Sequence, residues 1–402
     1  MESSSRIHSL DSLRGFSSLI VVVFHCLISL PVFYTAYYKQ QYANSFVRAL
    51  TETPLHTLWA GPEVVLLFFI LSGYVLSLPY LKYDSVSYKG YVIKRFFRIY
   101  IPYIVIMLIY LSVFILLSDY RNIDQLTDTF NARWDHPVTL KAFISYVFML
   151  GYDMTNINGV TWSLVHEMRI SIIFPLIIYM VKRLNLLKAL VCGLGVSLIL
   201  YTLIRSFSGR FQGDFIPIFI NSVSDTFYYC TFFVFGAVLA KYTGNIKSVL
   251  QPQKAIVKLL LLSAAILLIN FEWVFHSLYG YITKYSSAIR GSLAGEWIIA
   301  LGVLLLFSIV LSSKKLDWLL SLKFPVWLGK ISYSLYLVHV LVIMLSVRYL
   351  SRLLPLEVTV LLPIVLVLPV AALSYRFIEA PSMSLGKRLA GKFTSKSSDS
   401  RH

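Results

Sequence analysis

Runs of about 20 apolar residues recur along the whole chain, and they restrict its fold more than any other feature. A hydrocarbon core about 30 Å thick is crossed by about 20 helical residues at 1.5 Å each. Hydrophobic residues make up 57% of the 402 residues and charged residues 14%, so a bilayer is the main solvent. The sequence predicts an all-α integral membrane protein with ten spans, at 14–33, 62–80, 99–118, 162–181, 186–204, 222–240, 256–274, 295–312, 328–347 and 356–375.

The segments between the spans predict a single membrane domain. An apolar run at 141–151 is too short to cross and predicts a re-entrant or interfacial segment. The longest connector, 119–161, is too short for a second folded domain. We expect a transmembrane domain at residues 1–381, followed by a basic, serine-rich and disordered tail at 382–402.

The basic residues predict the orientation. Ten crossings place both termini on one face, which receives 24 of the 36 Lys and Arg residues, whereas the other face receives eleven. The remaining residue, Arg169, is given to neither face because it lies away from the ends of its span. By the positive-inside rule, both termini of this multi-pass plasma (inner) membrane protein are predicted to be cytoplasmic. The same distribution accounts for the net charge of +17 without nucleic-acid binding.

The first span carries Arg14 and His25, two ionisable groups that are expensive to bury in a bilayer. Eleven residues separate them, so His25 is predicted about 16 Å further along the helix, near mid-bilayer, on nearly the same face. A snorkelling arginine and a hydrogen-bonded buried histidine would explain the pair without function. Functional sites favour such residues, so both are candidates.

Two further spans carry polar groups at a similar depth. His339 lies in the ninth span, near Tyr333, and Ser72 lies in the second span before Gly73. Two imidazoles and a small polar kink could therefore meet, and imidazole suits proton transfer near neutral pH. Close helix packing at the Ser-Gly pair is at least as good an explanation for Ser72.

The fourth span begins with a cluster of ionisable residues. His166, Glu167 and Arg169 lie in its first turns, and buried charges of this kind ordinarily pair. Glu167 could pair with Arg169, orient an imidazole or bind a substrate hydroxyl. Trp162 stands where a residue of the interfacial aromatic belt is expected in any case.

An arginine pair stands at the entry to the third span. Arg95 and Arg98 are three residues apart, which predicts one helical face, and guanidinium groups grip phosphate bidentately. Ordinary positive-inside residues would look the same. Cys26, Cys192 and Cys230 lie in apolar runs without ligand spacing, so neither a disulfide nor a metal site is predicted.

Six segments, in this order, resemble the motifs of acyltransferase family 3, membrane proteins that include bacterial O-acetyltransferases of surface glycans. They are LDSLRGFSSLIVVVFH, FFILSGY, RFFRIYIP, WSLVHEMRISIIFP, FFVFGAVLA and SYSLYLVHVL, and the resemblance covers Leu10 to about Pro381. The chain departs from the family pattern at Leu341, where proline is usual, and at Arg169 and Ile170.

The resemblance implies an O-acyltransferase that moves an acyl group, by default acetyl, from cytoplasmic acyl-CoA to a hydroxyl of a surface or lipid-linked carbohydrate. Arg14 and His25 would be catalytic with Glu167, and His25 would act as general base or as acyl carrier. Acyl-CoA is then a substrate, and neither a bound cofactor nor a metal is expected. The residues expected to bind substrate are Arg95, Arg98, Ser72, Trp162, Ser163, His339 and Tyr333.

Two other functions fit parts of the pattern. In a secondary transporter or glycan flippase, the intramembrane His and Glu residues would form a proton relay. Such a protein should not cleave acyl-CoA. A non-enzymatic assembly partner would not need Arg14, His25 and Glu167 at converging depths.

Overall fold

The computed structural model describes residues 8–83, 85–117, 122–274 and 293–394, and this part of the chain is helical, without strands. Ten apolar helices follow one another, and all except α7 are long and apolar enough to cross a bilayer. They are α1 (His8–Leu27), α2 (Gly61–Lys82), α3 (Tyr88–Leu117), α4 (Thr161–Arg183), α5 (Leu186–Ser208), α6 (Phe215–Leu250), α7 (Ala255–Ile269), α8 (Leu293–Ser312), α9 (Lys323–Leu350) and α10 (Leu356–Phe393).

Shorter helices lie between them. The helix Leu140–Phe148 has nine residues, which confirms that the predicted segment at 141–151 is too short to cross; its place relative to a bilayer stays a prediction. The other short helices are Pro31–Tyr34, Thr35–Lys39, Ser45–Glu52, Pro54–Leu58, Asp128–Asn131, Met154–Asn158, Phe271–Val274 and Lys314–Leu320.

The predicted continuous span at 256–274 is wrong. Helix α7 has 15 residues and ends at Ile269, and a separate helical turn follows at Phe271–Val274. Asn270 interrupts them because its side-chain amide donates to the carbonyl of Ile266 and to the hydroxyl of Thr57, both at 2.7 Å. The number of crossings and the orientation stay predictions.

Helix α1 begins and ends earlier than the predicted span at 14–33. Pro31 opens the next short helix, and a residue before proline avoids the helical conformation. Leu30 is accordingly extended, with ψ 131°. Arg14 therefore lies in the second turn of α1 rather than at its start, and His25 lies in its last turn rather than near its middle.

The prediction of a disordered tail from residue 382 is wrong for 382–394. These residues belong to the helical segment Ala380–Thr394, which packs against the start of α3. Small residues allow this packing: Ala390 is fully buried, and a Cβ at Gly386 would lie 2.5 Å from the Phe97 side chain. Residues 395–402 lie outside the described part of the chain.

The chain divides into two compact units. Unit 1 comprises residues 1–71, 124–130 and 242–368, and unit 2 comprises residues 72–123, 131–241 and 369–402. Three of the five divisions fall inside α2, α6 and α10, and the other two fall between α3 and α4.

In unit 1, α1 and α9 pack very closely and run in the same direction. Asp11 lies beside Gly329, Arg14 beside Ser332 and His25 beside His339, so residue numbers rise together along both helices. A Cβ at Gly15 would lie 2.6 Å from the backbone nitrogen of Gly329. Only glycine permits backbones to approach this closely.

In unit 2, Gly73 provides the corresponding close approach between α2 and α6. A Cβ there would lie 2.7 Å from the Cα atom of Phe233. The close-packing explanation of the Ser-Gly pair is therefore correct for Gly73.

Candidate functional site

Arg14 links α1 to α9 in unit 1. Its Nε donates to the Ser332 hydroxyl at 2.8 Å and one terminal nitrogen donates to the Gly329 carbonyl at 3.2 Å. Ser332 in turn donates to the Gly329 carbonyl, and Asp11 lies 3.5 Å from the guanidinium. The guanidinium is thus held in one orientation while 21% of its side chain stays exposed.

His25 and His339 lie side by side in the same unit. Their ring centroids are 5.3 Å apart, with an angle of 32° between the planes. His339 is fully buried, and its Nδ1 lies 2.8 Å from the Tyr336 carbonyl. A carbonyl only accepts, so Nδ1 carries a proton, and Nε2 is the basic nitrogen whenever the ring is neutral. The two imidazoles therefore meet as the sequence suggested.

Tyr333 on α9 and His25 on α1 are both partly accessible. Tyr333 is half-buried beside Ser332 on α9. His25 is half-buried, and the edge of Phe24 meets its ring at 5.3 Å. The Ser29 hydroxyl donates to the His25 carbonyl at 2.7 Å, which supports the last turn of α1.

Ser72 and Glu167 meet in unit 2, although 95 residues separate them. The Ser72 hydroxyl donates to Glu167 Oε1 at 2.9 Å, joining α2 to α4. Both side chains are half-buried. Of the three partners considered for Glu167, the neighbouring Arg169 is not bound to it in the described structure.

Arg169 instead ties a loop to α6. Its guanidinium donates to the carbonyls of Met149 and Leu150 at 2.9 and 3.0 Å, and to the hydroxyls of Ser222 and Thr226 at 3.0 and 3.2 Å. These four bonds satisfy a cation inside an apolar span. Arg169 therefore has a structural role in joining the loop to α6.

Gly151 follows that loop and requires glycine. Its φ is +92°, a conformation that other residues rarely adopt. A Cβ at this position would also lie 2.8 Å from the Ser222 Cβ. The loop therefore approaches α6 without a side chain between them.

His166 is held by the Thr226 hydroxyl of α6, which also accepts a hydrogen bond from Arg169. The Thr226 hydroxyl donates to the Ser222 carbonyl at 2.9 Å, so its oxygen accepts from His166 Nδ1, also at 2.9 Å. The proton of the neutral ring consequently lies on Nδ1, and Nε2 is the acceptor. This is the same tautomer as that of His339.

A cavity of about 320 Å³ lies between α4 and α6, and His166 lines it. Trp162 and Tyr229 add aromatic rings, with centroids 5.5 Å apart. Asn221, Ser222 and Asp225 add polar groups. Ser163, expected to bind substrate, is buried, and its hydroxyl donates to the Val160 carbonyl at 3.2 Å.

Arg95 and Arg98 lie at the start of α3, both half-buried. A π-helical turn, Phe96–Tyr100, contains Arg98 and begins directly after Arg95. Bonds from i to i+5 widen the turn, so three residues cover less of it than in an α-helix. The angle between the two side chains therefore differs from that in a regular α-helix, and a shared face stays a prediction.

Sequence reasoning missed a buried cluster in unit 1. Glu63 accepts from the Trp273 indole at 2.9 Å and lies 3.4 Å from His56, whose ring stacks on Trp273 at 4.4 Å. All three side chains are at most 4% exposed. The signal was present, because Glu63 is an acid at the start of an apolar run.

The polar groups of α6 were also missed. Asn221, Ser222, Asp225, Thr226 and Tyr229 recur at spacings of three and four residues in an apolar helix, which marks one face. Within the described residues, no group of three or more His, Cys, Asp or Glu side chains could hold a metal ion.

Comparison with known proteins identifies the family. The family model Acyl_transf_3, an acyltransferase domain, matches residues 7–374, a range that contains every candidate residue above. No curated protein and no solved structure matches the chain. With its series of helices able to span a membrane, the chain belongs to acyltransferase family 3 and is a multi-pass membrane acyltransferase.

Proposed function

We propose that the protein moves an acyl group, by default acetyl, from cytoplasmic acyl-CoA to a hydroxyl of a surface or lipid-linked carbohydrate. The observation that carries the proposal is the imidazole pair of His25 and His339, 5.3 Å apart on two parallel helices that Arg14 links. A pair of imidazoles suits a reaction in which a proton leaves a hydroxyl as a new bond to its oxygen forms.

The reaction is a transfer from sulfur to oxygen. The acceptor oxygen attacks the thioester carbonyl carbon while His25 takes its proton, and a C–O bond forms. The C–S bond then breaks, and the proton passes to the coenzyme A thiolate. His339, whose Nδ1 is committed to the Tyr336 carbonyl, assists His25 through its basic Nε2. A general base of this kind contributes about 10²- to 10⁴-fold.

The arginines serve the donor. Arg95 and Arg98 bind coenzyme A phosphates through charge-assisted hydrogen bonds, with the π-helical turn setting the direction of Arg98. Arg14 holds α1 against α9, which keeps the imidazole pair in place, and offers its exposed side to the donor.

The acceptor-side roles rest on unit 2. Glu167, oriented by Ser72, accepts a hydrogen bond from another hydroxyl of the acceptor carbohydrate. Trp162 supplies an aromatic surface. Ser163 and Tyr333 remain proposed substrate contacts.

The ten-span topology with cytoplasmic termini in the plasma (inner) membrane belongs to this proposal. Two membrane helices that run in the same direction, as α1 and α9 do, are separated by an odd number of crossings. Among the described helices between them, six are long enough to cross. Helix α7, continued beyond Asn270 by Phe271–Val274, would supply the seventh.

The test is transfer of labelled acetyl from acetyl-CoA to membrane-derived glycan by the full chain in proteoliposomes. His25→Ala is expected to lower the rate at least 100-fold, whereas His8→Ala, at the exposed start of the same helix, should leave it unchanged. Full activity in His25→Ala would overturn the catalytic assignment. If the acid-quenched protein retained label on His25, that residue would carry the acyl group as an acyl-imidazole intermediate instead of acting as a general base.

A second measurement separates the donor site from the acceptor site. Arg95→Ala with Arg98→Ala should raise the KM for acetyl-CoA about tenfold and leave that for the glycan unchanged. The control is Lys314→Ala with Lys315→Ala, an exposed basic pair on the same predicted face. An equal rise in the KM for acetyl-CoA in both double variants would mean that Arg95 and Arg98 are ordinary positive-inside residues. Complete absence of acetyl-CoA cleavage in the wild type would favour a transporter.

A further inference from the structure

The cavity of unit 2 has chemistry that the transfer step does not use. It lies between the first half of α4 and the first half of α6, and its volume of about 320 Å³ is at the lower end of the range for small-molecule sites, about 300–1,000 Å³. That volume suits one ring-sized group rather than a long chain.

Aromatic rings form one side of the cavity. Tyr229 lies 5.5 Å from Trp162 and 5.1 Å from His166, measured between ring centroids. The faces of such rings carry partial negative charge, so they attract the weakly positive C–H groups on the face of a sugar ring. A saturated ring with polarised C–H groups on one face therefore fits this side.

Hydrogen-bond acceptors form the other side. The Asn221 side-chain oxygen is buried and has no hydrogen-bond partner in the described part of the chain. Leaving such an acceptor unsatisfied costs about 1–3 kcal/mol, and a ligand hydroxyl that displaces the atoms covering this oxygen would remove that cost. Asp225, one helical turn further on, binds Arg205 through Oδ1 at 3.0 Å, which leaves Oδ2 able to accept from a second hydroxyl.

The charges at the cavity disfavour an anionic ligand. The nearby guanidinium of Arg169 already donates to two hydroxyls and two carbonyls. Arg205 is paired with Asp225, whose carboxylate faces the cavity. A phosphate would thus meet a carboxylate and no uncommitted cation among the lining residues, whereas a neutral polyol would meet acceptors.

We propose that this cavity binds one uncharged hexopyranose ring of the acceptor, stacked against Trp162 and Tyr229 and hydrogen-bonded through its hydroxyls to Asn221 and Asp225. The inference rests on the proposed function, because it takes the acceptor to be a carbohydrate. It adds three residues of α6 to the acceptor site. Under the proposed orientation, the N-terminal ends of α4 and α6, and hence the cavity, face the outside.

A labelling experiment tests binding without requiring turnover. Ile218 also lines the cavity, so Ile218→Cys provides a reporter that leaves the proposed hydrogen-bonding groups intact. Cys192 is exposed and is replaced by Ser in this background, whereas Cys26 and Cys230 are buried. An impermeant maleimide added from outside to full-length protein in cells should label Cys at 218.

The probes are the methyl pyranosides of glucose, galactose, mannose and N-acetylglucosamine, with glucose 6-phosphate as the anionic comparison. At least one methyl pyranoside should slow labelling at 218 about fivefold or more, whereas a Gln212→Cys reporter on the exposed loop should be unaffected. Asn221→Ala should abolish that protection, and Asn221→Asp, which keeps the acceptor oxygen, should retain most of it.

Two results would overturn the inference: no protection by any methyl pyranoside, or stronger protection by glucose 6-phosphate than by the neutral sugars. A kinetic arm adds a second criterion, since Tyr229→Leu should raise the acceptor KM about tenfold without changing that for acetyl-CoA, and Tyr229→Phe should not. Sugar protection without any acyl transfer by the wild type would leave the cavity proposal standing and refute the proposed function. Acyl transfer by the wild type without protection by any sugar would refute the cavity proposal and leave the proposed function standing.

Discussion

His339 in unit 1 and His166 in unit 2 present the same imidazole tautomer in two very different settings. Each donates through Nδ1, His339 to a backbone carbonyl and His166 to the Thr226 hydroxyl. His339 lies in closely packed helices beside a second imidazole, whereas His166 lies beside Arg169 at an open cavity. The neighbours, rather than the residue type or its tautomer, distinguish the proposed proton-transfer pair from the proposed recognition surface.

Separating α1 from α9 should have the largest effect, because the imidazole pair depends on that close approach. In Gly329→Ala, the new Cβ would lie 2.6 Å from the Asp11 carbonyl carbon. We expect a loss of about 1–3 kcal/mol in stability and at least 100-fold lower transfer, measured by thermal unfolding in detergent and by initial rates. Gly195→Ala is the control, since nothing lies within 4 Å of its Cβ; wild-type behaviour of both variants would contradict the prediction.

Replacing the two histidines tests the comparison directly. His339→Gln removes a proton acceptor and should lower kcat about 100-fold with little change in the acceptor KM. His166→Gln should raise the acceptor KM about tenfold and keep kcat within threefold. Steady-state kinetics with both substrates varied measures kcat and the acceptor KM. Similar changes in the two variants would contradict the proposed difference between His339 and His166.

Arg169→Gln should disturb only the recognition side. The variant loses bonds from the guanidinium to the loop carbonyls and to α6, and the acceptor KM should rise about tenfold. Arg169→Lys should recover little of the loss, because an ammonium cannot reproduce the forked geometry. Arg210→Gln, at an exposed position, is the control, and a normal acceptor KM in Arg169→Gln would be the contrary result.

Ser72→Ala should have a smaller effect. It removes the hydroxyl that donates to Glu167, so the carboxylate loses its orientation, and transfer should fall about three- to tenfold. Ser206→Ala, whose hydroxyl bonds only to its own helix, should be neutral. Rates that are equal in the two serine variants would remove Ser72 from the proposed site.

The smallest expected effect is a pH dependence in the connector of unit 2. Burial alone would lower the pKa of His136, but its hydrogen bond and charge interaction with Asp135, together with Asp153, raise that pKa overall. Burial raises the pKa of Asp153, opposed by His136. Both raised pKa values favour the proton-bound folded form, so stabilisation by His136 is complete below its ordinary pKa of about 6.5 and is lost as pH rises through the folded value.

Hydrogen exchange measures that dependence. After correction for intrinsic rates, residues 134–156 should exchange more slowly at pH 6 than at pH 8, by about fivefold at most because these side chains are partly exposed. His136→Ala should remove the difference. A difference that persists in His136→Ala would assign the effect to another group.

The length of the apolar runs predicted most of the helices, since a bilayer demands long apolar runs wherever a chain crosses it. The helices depart from the predicted spans for local reasons that the length of an apolar run does not reveal. Pro31 ends α1 early, Asn270 interrupts the segment after α7, and a π-helical turn begins between Arg95 and Arg98. Each depends on one residue or one hydrogen-bond pattern inside an otherwise regular run.

The sequence by itself determined the class of the protein, its family motifs and the candidates Arg14, His25, Glu167 and His339, because ionisable groups in apolar runs are conspicuous. Only the tertiary structure decided their partners. His25 meets His339 because Gly15 and Gly329 let two helices approach, and Glu167 meets Ser72 rather than its neighbour Arg169. The cavity between α4 and α6 was hidden for the same reason, since its walls come from helices that share no sequence neighbourhood.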